Sequence, residues 1–308
     1  MELYAAGLNA WNQLRFGGNE ADTEPDDLHT FACVLADQDI RDVRPHLSFT
    51  TVHTTLGPLL AGNLPTPTDL PPSLLTLILN PPSTLLFAQT STGAIAFTAS
   101  PSHPIIHHPT PLSPPTTWPP TPTPPTHLVS HATGFALLHP PSTVLTTSDP
   151  RFSSCLGRPS DSPDVPHPVP DLLDLPTGPV VKIDSSSSGY VLAALTAGGD
   201  LYVWGHAGRA EAAGLGGMEV TGDVTPVVVD DHDVADVAVG EGHVVVLTTT
   251  GEVFGIGSNG NGQLGLGEEV EGTEAWTRIG EEVPAGKEVV GVVAGPRSTF
   301  LLVRDTEG

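Results

Sequence analysis

The sequence predicts an all-β protein, a single-domain β-propeller over residues 1–308 with about six to seven four-stranded blades and a ring closed by pairing half-repeats from the two chain ends. Three observations lead there. The composition is poor in helix formers, a strand–turn–strand unit with a glycine-rich tail recurs, and the first residues continue a unit that the last residues begin.

The 308 residues include 33 glycines and 33 prolines, with 15% charged and 5% aromatic residues. Glycine and proline at that density interrupt helices, so short strands and turns remain. A chain of this length still hides about three quarters of its extended surface, enough for a large core. With 11 basic against 35 acidic residues the net charge is −24, and such a surface repels phosphate, which argues against direct nucleic-acid binding. No apolar run reaches the roughly 18 residues of a membrane helix; Leu74–Leu79 is strand-sized. Met1-Glu2-Leu3-Tyr4 lacks the basic start of a signal peptide. Cys33 and Cys155 are too few for a disulfide framework, and no Asn-x-Ser/Thr acceptor occurs. A monomer in a reducing, intracellular compartment, nuclear or cytoplasmic, is the expectation.

Taken in order, the elements begin with half a unit, Leu3-Tyr4-Ala5-Ala6-Gly7-Leu8-Asn9-Ala10-Trp11-Asn12-Gln13-Leu14-Arg15-Phe16-Gly17. A degraded unit follows at Ile40–Val43, Thr50–Gly57 and Leu59–Asn63, and another at Leu74–Ile78 with Thr84–Phe97. A third runs through His127–Val129 and Phe135–Leu138, turns at Pro140-Pro141 and returns along Val144–Thr147. The unit beginning at Val180 contains Leu192–Thr196, the turn Gly198-Gly199 and Leu201-Tyr202-Val203-Trp204-Gly205. The clearest unit runs from Val234–Gly240 through Val244–Thr248, turns at Thr250-Gly251 where glycine accepts positive φ, and continues along Val253–Gly257 into Ser258-Asn259-Gly260-Asn261-Gly262-Gln263-Leu264-Gly265-Leu266-Gly267. Residues Leu3–Gly17 align without a gap onto Val253–Gly267, while Val289–Gly295 and Thr299–Val303 align onto Val234–Thr248. Residues 1–17 and 288–308 are therefore expected to share a closing blade, the device by which a ring of sheets leaves no open edge.

The stretch Val253–Gly267 resembles the signature of the regulator-of-chromosome-condensation repeat family, aromatic-x-Trp-Gly-x-Asn-x-x-Gly-Gln-Leu-Gly-x-Gly, and Leu201–Gly217 and Leu3–Gly17 resemble it less completely, with Arg15 and Phe16 departing from it. On that resemblance the signature positions are Gly7, Asn9, Gln13, Leu14, Trp204, Gly205, Gly257, Asn259, Gly262, Gln263, Leu264, Gly265 and Gly267. It implies a propeller, typically of seven blades, with nuclear, chromatin-linked or small-GTPase-linked partners. Histidine is also expected at His243, where an internal hydrogen bond between blades suits it.

Acidic residues recur in the linkers after the signature runs: Asp22, Glu24, Asp26 and Asp27; Asp230, Asp231 and Asp233; Glu268, Glu269 and Glu271. In equivalent linkers they would share one rim of the ring. Two roles fit them, solubility and attraction of a basic partner such as a histone tail. Between Asp69 and Asp149 no Asp, Glu, Lys or Arg occurs, and residues 101–126 are expected to form a proline-rich loop insertion, either a tolerated loop or a polyproline docking segment.

Motifs for chemistry are weak. Gly255-Ile256-Gly257-Ser258-Asn259-Gly260 matches a dinucleotide fingerprint in letters, but that motif needs a helix to begin there. His103, His107 and His108 match no metal-ligand spacing. There is no nucleophile elbow, Walker lysine, H-E-x-x-H or Cys-x-x-Cys. No enzyme, cofactor or metal is expected. The leading expectation is a non-enzymatic, chromatin-associated interaction scaffold that binds a histone or a chromatin enzyme through its acidic loops. The alternative is a guanine-nucleotide exchange factor for a Ran-type small GTPase. An adaptor for ubiquitin ligation is a third possibility, although this chain contains no ligase domain.

Overall fold

The computed structural model describes residues 1–17, 25–64, 86–98, 105–110, 114–119, 121 and 123–306. Its strands are β1 (Glu2–Gly7), β2 (Leu28–Ala36), β3 (Ile40–Pro45), β4 (Phe49–Thr54), β5 (Gly57–Gly62), β6 (Phe87–Gln89), β7 (Ile95–Thr98), β8 (Ile105–His108), β9 (Thr116–Thr117), β10 (His127–His131), β11 (Gly134–His139) and β12 (Thr143–Thr147). They continue with β13 (His167–Pro168), β14 (Val180–Ser185), β15 (Val191–Thr196), β16 (Leu201–Gly205), β17 (Thr225–Val227), β18 (Val234–Val239), β19 (His243–Thr248), β20 (Val253–Ser258), β21 (Gly272–Ile279), β22 (Lys287–Ala294) and β23 (Ser298–Asp305). The remaining elements are short helical turns, among them Pro150–Leu156 and Ala207–Ala210.

Among the described residues these strands form six antiparallel sheets, six blades where six to seven were expected. Five sheets have four strands, and the sixth, β3-β4-β5, has three among the described residues. The expected strand Leu74–Ile78 lies outside the described residues. The chain divides into two compact units. Unit one, Met1–Pro65, Glu211–Met218 and Val229–Gly308, holds the sheets β2-β1-β23-β22, β3-β4-β5 and β18-β19-β20-β21. Unit two, Thr66–Ala210 and Glu219–Val228, holds β6-β7-β8-β9, β10-β11-β12-β13 and β14-β15-β16-β17.

The shared blade forms as the half-repeats require. β1 pairs antiparallel with β23, Tyr4 opposite Leu301 and Ala5 opposite Phe300, and β22 completes the C-terminal side. The blade extends past residue 17, because β2 pairs with β1 as the fourth strand. β1 thus stands where β20 stands in its own sheet, and β23 where β19 stands.

Inner strands are buried on both faces, as the valine-rich β19 shows at every position, while the outermost strand β21 is exposed or half-buried at every position but its last, Ile279. In unit one, Tyr4, Ala6 and Phe31 of the shared blade pack with Val245, Leu264, Val292 and Leu301, and Leu3, Leu14 and Phe300 pack with Ile40 and Val52 of the next sheet. In unit two, Trp204 lies among Cys155, Val169, Leu172, Ile183 and Leu192.

The proline-rich segment is not wholly a loop insertion. β8 pairs with β7, and the two-residue β9 pairs with β8, Thr116 opposite His107. Proline cannot donate to a ladder, and both strands are proline-free. His107 is therefore a strand residue stacked on the buried Trp118 at 5.0 Å, and it stands edge-on to Phe135 at 5.7 Å. His103 lies outside the described residues.

Candidate functional site

Antiparallel strands put the first-to-second and third-to-fourth connections of a sheet at one end, the upper, and the remaining connections at the lower. The signature residues build the upper third-to-fourth loops. At the close of β20, Gly257 has φ 112°, and any side chain there would run into the Gly242 carbonyl and His243. Gly7 has φ 123° and faces Arg297 and Ser298 in the same way. Gly205 closes β16 against Tyr190.

Asn259, only 1% exposed, then pins its own loop. Its Oδ1 accepts from the Leu264 amide at 2.9 Å, and its Nδ2 donates to the carbonyls of Val270 at 2.7 Å and Gly267 at 3.1 Å. Gln263 Oε1 accepts from the Asn261 amide at 2.9 Å, which tightens the turn above the buried Leu264. Asn9, Gln13 and Leu14 repeat the arrangement: Asn9 Oδ1 accepts from the Leu14 amide at 3.0 Å, Asn9 Nδ2 donates to the Asp26 carbonyl at 3.0 Å, and Gln13 Oε1 accepts from the Trp11 amide at 2.9 Å. Gly262 and Gly265, at φ 81° and 68°, pack against Leu28 and Phe31 of the shared blade, and the Gly267 amide donates to the His29 carbonyl. Trp204, fully buried, donates from Nε1 to the Cys155 carbonyl at 3.1 Å.

His243 links two blades, with its Nε2 3.0 Å from Thr299 Oγ1 of β23. Burial pushes its pKa down to about 4, as it does for His131, so both rings are neutral. Cys33 is exposed, while burial pushes the Cys155 thiol up to about 12. Gly255–Gly260 runs from strand β20 into a turn where no helix begins.

The acidic residues fall into two sets, which corrects the expectation that all of them share one rim. Asp26 and Asp27 end the loop between β1 and β2, and Glu268, Glu269 and Glu271 lie in the loop between β20 and β21. Both loops are third-to-fourth connections at the upper end, and they touch: Asn261 Nδ2 donates to Asp27 Oδ2 at 2.9 Å. Asp27 also accepts the Asn9 amide at 2.8 Å, so its carboxylate locks the two loops together. Asp26, Glu268, Glu269 and Glu271 remain exposed. Asp230, Asp231 and Asp233 instead precede β18, the first strand of its sheet, and therefore lie at the lower end beside the turn after β19, where the Thr249 amide donates to the Asp233 carbonyl at 2.9 Å. Asp230 and Asp231 have φ 46° and 61°, a left-handed turn that aspartate tolerates better than most residues. Asp22 and Glu24 lie outside the described residues.

Two features escaped the linear reading. A cleft of about 790 Å³ opens beside the β1–β2 loop, lined among others by Trp11, Phe16, Cys33 and Leu60. In unit two, Phe152, Tyr190 and His206 come together under Arg209 although 54 residues separate the first ring from the last. Neither has a contiguous motif, because each is assembled from the loops of neighbouring sheets.

Comparison with known proteins matches this architecture. The family model described as "Regulator of chromosome condensation (RCC1) repeat" matches residues 234–263 and again 250–302. Among solved structures, Prp20p of Saccharomyces cerevisiae superposes with TM-score 0.68 at 13% identity, covering 99% of this chain and 92% of that one. Human WBSCR16 superposes with TM-score 0.59 at 12% identity, covering 99% of both chains. Yeast RCC1 (Prp20) in its complex with Kap60 also gives 0.59, at 13% identity over 99% of this chain and 89% of that one. At such identities the superpositions speak for the fold, while the matches, which include the Asn259 loop, identify the repeat over residues 234–302. Residues 234–302 thus carry RCC1 repeats, and the chain has a six-bladed β-propeller fold.

Proposed function

We propose that this protein is a non-enzymatic interaction platform, monomeric and chromatin-associated, whose upper acidic loops capture a basic protein such as a histone, with the sheet shared by the chain ends as the closing blade of its ring. The reading is carried by the joining of the two upper loops through Asn261 and Asp27, which gathers Asp26, Glu268, Glu269 and Glu271 into one exposed acidic surface. Carboxylates within a Debye length of about 10 Å reinforce one another at low salt, and a partner bearing several lysines or arginines gains from all of them. The neighbouring cleft offers a floor for an apolar side chain of the same partner. Prp20p has been characterised for its binding properties to Gsp1p and histones, and histones are basic.

The test is capture of a purified core-histone dimer by full-length protein at ~50 mM and ~300 mM salt. Neutralising the upper set (Asp26→Asn, Glu268→Gln, Glu269→Gln, Glu271→Gln) should weaken binding about tenfold or more at low salt, by analogy with other clustered surface charges. Neutralising the lower set (Asp230→Asn, Asp231→Asn, Asp233→Asn) should leave it unchanged. Equal loss in both variants, or in neither, overturns the reading.

The second reading is nucleotide exchange on a Ran-type GTPase, prompted by the Prp20p–Gsp1p relationship. Acceleration of nucleotide release by substoichiometric protein would put it first.

A further inference from the structure

We propose that Arg209, held over the rings of Tyr190 and Phe152 on unit two, anchors a carboxylate side chain of a protein partner, at a site opposite in polarity to the acidic loops of unit one.

Most of the chain's few cations are already engaged. Arg41, Arg44, Arg151, Arg278, Lys287, Arg297 and Arg304 each meet a carboxylate, and Arg158 spends its donors on carbonyls and the Thr146 hydroxyl. Arg209 differs. Its guanidinium carbon lies 5.5 Å from the Tyr190 ring centroid and 5.9 Å from that of Phe152, and among the described residues no acceptor or carboxylate takes its side-chain donors. The residue is exposed.

The shelf beneath it is built, not accidental. Phe152 stands 5.0 Å from Tyr190 and 5.5 Å from His206, and Tyr190 stands 6.3 Å from His206. All four residues are at the upper end of unit two: Tyr190 just before β15, His206 and Arg209 just after β16, and Phe152 after β12. Two contacts set the loop carrying Phe152, the bond from Trp204 Nε1 to the Cys155 carbonyl and the approach of Cys155 Sγ to the Tyr190 carbonyl at 3.6 Å. The Arg209 amide donates to the His206 carbonyl at 3.0 Å, so its backbone is set as well. A guanidinium over ring faces is attracted by their π-electrons and held in place, and its planar fork of N–H groups stays available. Much of the side-chain entropy that an arginine loses on binding is already lost here, and half-buried aromatic rings around a central arginine are the composition of an interface hot spot.

The ligand chemistry follows from charge. A net charge of −24 repels polyphosphates and nucleic acid at long range, whereas a single carboxylate on a protein surface meets that repulsion once and can bond the fork through both oxygens. The adjacent Arg151–Asp149 pair shows the same chemistry: Asp149 takes both Nε, at 3.0 Å, and Nη2, at 2.8 Å, and the pairing holds its pKa down to about 2. With Arg151 so neutralised and its guanidinium 6.0 Å from the Phe152 centroid, Arg209 is the open cation of the cluster.

The probe is a rhodamine-labelled capped peptide, acetyl-Leu-Glu-Leu amide, titrated into full-length protein at low ionic strength, with the Leu-Gln-Leu peptide as its neutral twin. In arginine-¹⁵N-labelled protein the Arg209 Nε–H resonance, assigned by its loss in Arg209→Lys, should shift saturably with the glutamate peptide and not with its twin. By anisotropy, Arg209→Lys, which keeps charge but not the fork, should weaken binding about fivefold or more. Tyr190→Leu, which removes one ring of the shelf, should weaken it about threefold. Absence of saturable binding, equal affinity in Arg209→Lys, or displacement of the peptide by inorganic phosphate at lower concentration than by acetate would each overturn the proposal.

Discussion

Replacing Asn259 by alanine tests how the acidic surface is held in place. The side chain makes three hydrogen bonds inside one loop, and the carbonyls it holds, Gly267 and Val270, bracket Glu268 and Glu269. Alanine removes the acceptor for the Leu264 amide, whose residue is fully buried. A stranded buried donor costs about 1–3 kcal/mol. The two carbonyls sit at half-buried and exposed residues where water can replace the amide, so their loss adds about 0.5 kcal/mol each. The total, about 3 kcal/mol, corresponds to roughly a hundredfold change in a local opening equilibrium. Hydrogen exchange at the Leu264 amide reads that equilibrium directly. Its protection should fall about a hundredfold while Val245 and Val246 in β19 keep theirs. Asn9→Ala should do the same at Leu14, because Asn9 Oδ1 accepts that amide at 3.0 Å. A change under about threefold at both sites would refute the assignment of the signature asparagine as the loop's internal anchor.

Two further outcomes follow from buried groups. His131 and His243 have pKa values near 4 in the folded protein against an ordinary 6.5, so the unfolded chain takes up protons between those values while the folded one does not. Stability therefore falls as pH drops through that window, by about 1.4 kcal/mol for each histidine at about pH 5.5, and His243→Gln should shrink the Tm difference between pH 7.5 and 5.5. An unaltered difference would mean that His243 titrates normally. Trp204→Phe keeps an aromatic ring but removes the donor to the Cys155 carbonyl and leaves part of a fully buried site unfilled, a combined loss of about 2 kcal/mol or more that should raise the rate of thiol labelling at Cys155 several-fold, with the exposed Cys33 as internal standard. An unchanged Cys155 rate would show that the bond does not hold the loop.

Legibility along the chain tracks how local each interaction is. The half-repeats at the termini were readable because Leu3–Gly17 and Val253–Gly267 share a spacing set by a turn, a strand and a self-bonded loop, and the structure pairs β1 with β23 accordingly. Gly7, Gly257 and Asn259 were readable for the same reason, since their partners are within a dozen residues or on the adjacent strand. β8 and β9 were masked by proline, because burial of Trp118 against His107 and Phe135 outweighs a composition that reads as loop.

The division of the acids was lost for a different reason. Spacing after a glycine-rich run looks alike for a third-to-fourth linker and for the longer path that leaves a fourth strand, but an antiparallel sheet sends those two connections to opposite ends. Composition and periodicity settle that this chain makes short antiparallel strands, repeats them and completes its last blade with its first residues, because backbone geometry and burial act over a few residues at a time. Which acids stand together, and that Arg209 rests on rings from two other loops, depends on sheets packing side by side. That packing joins residues dozens of positions apart, and no spacing along the chain records it.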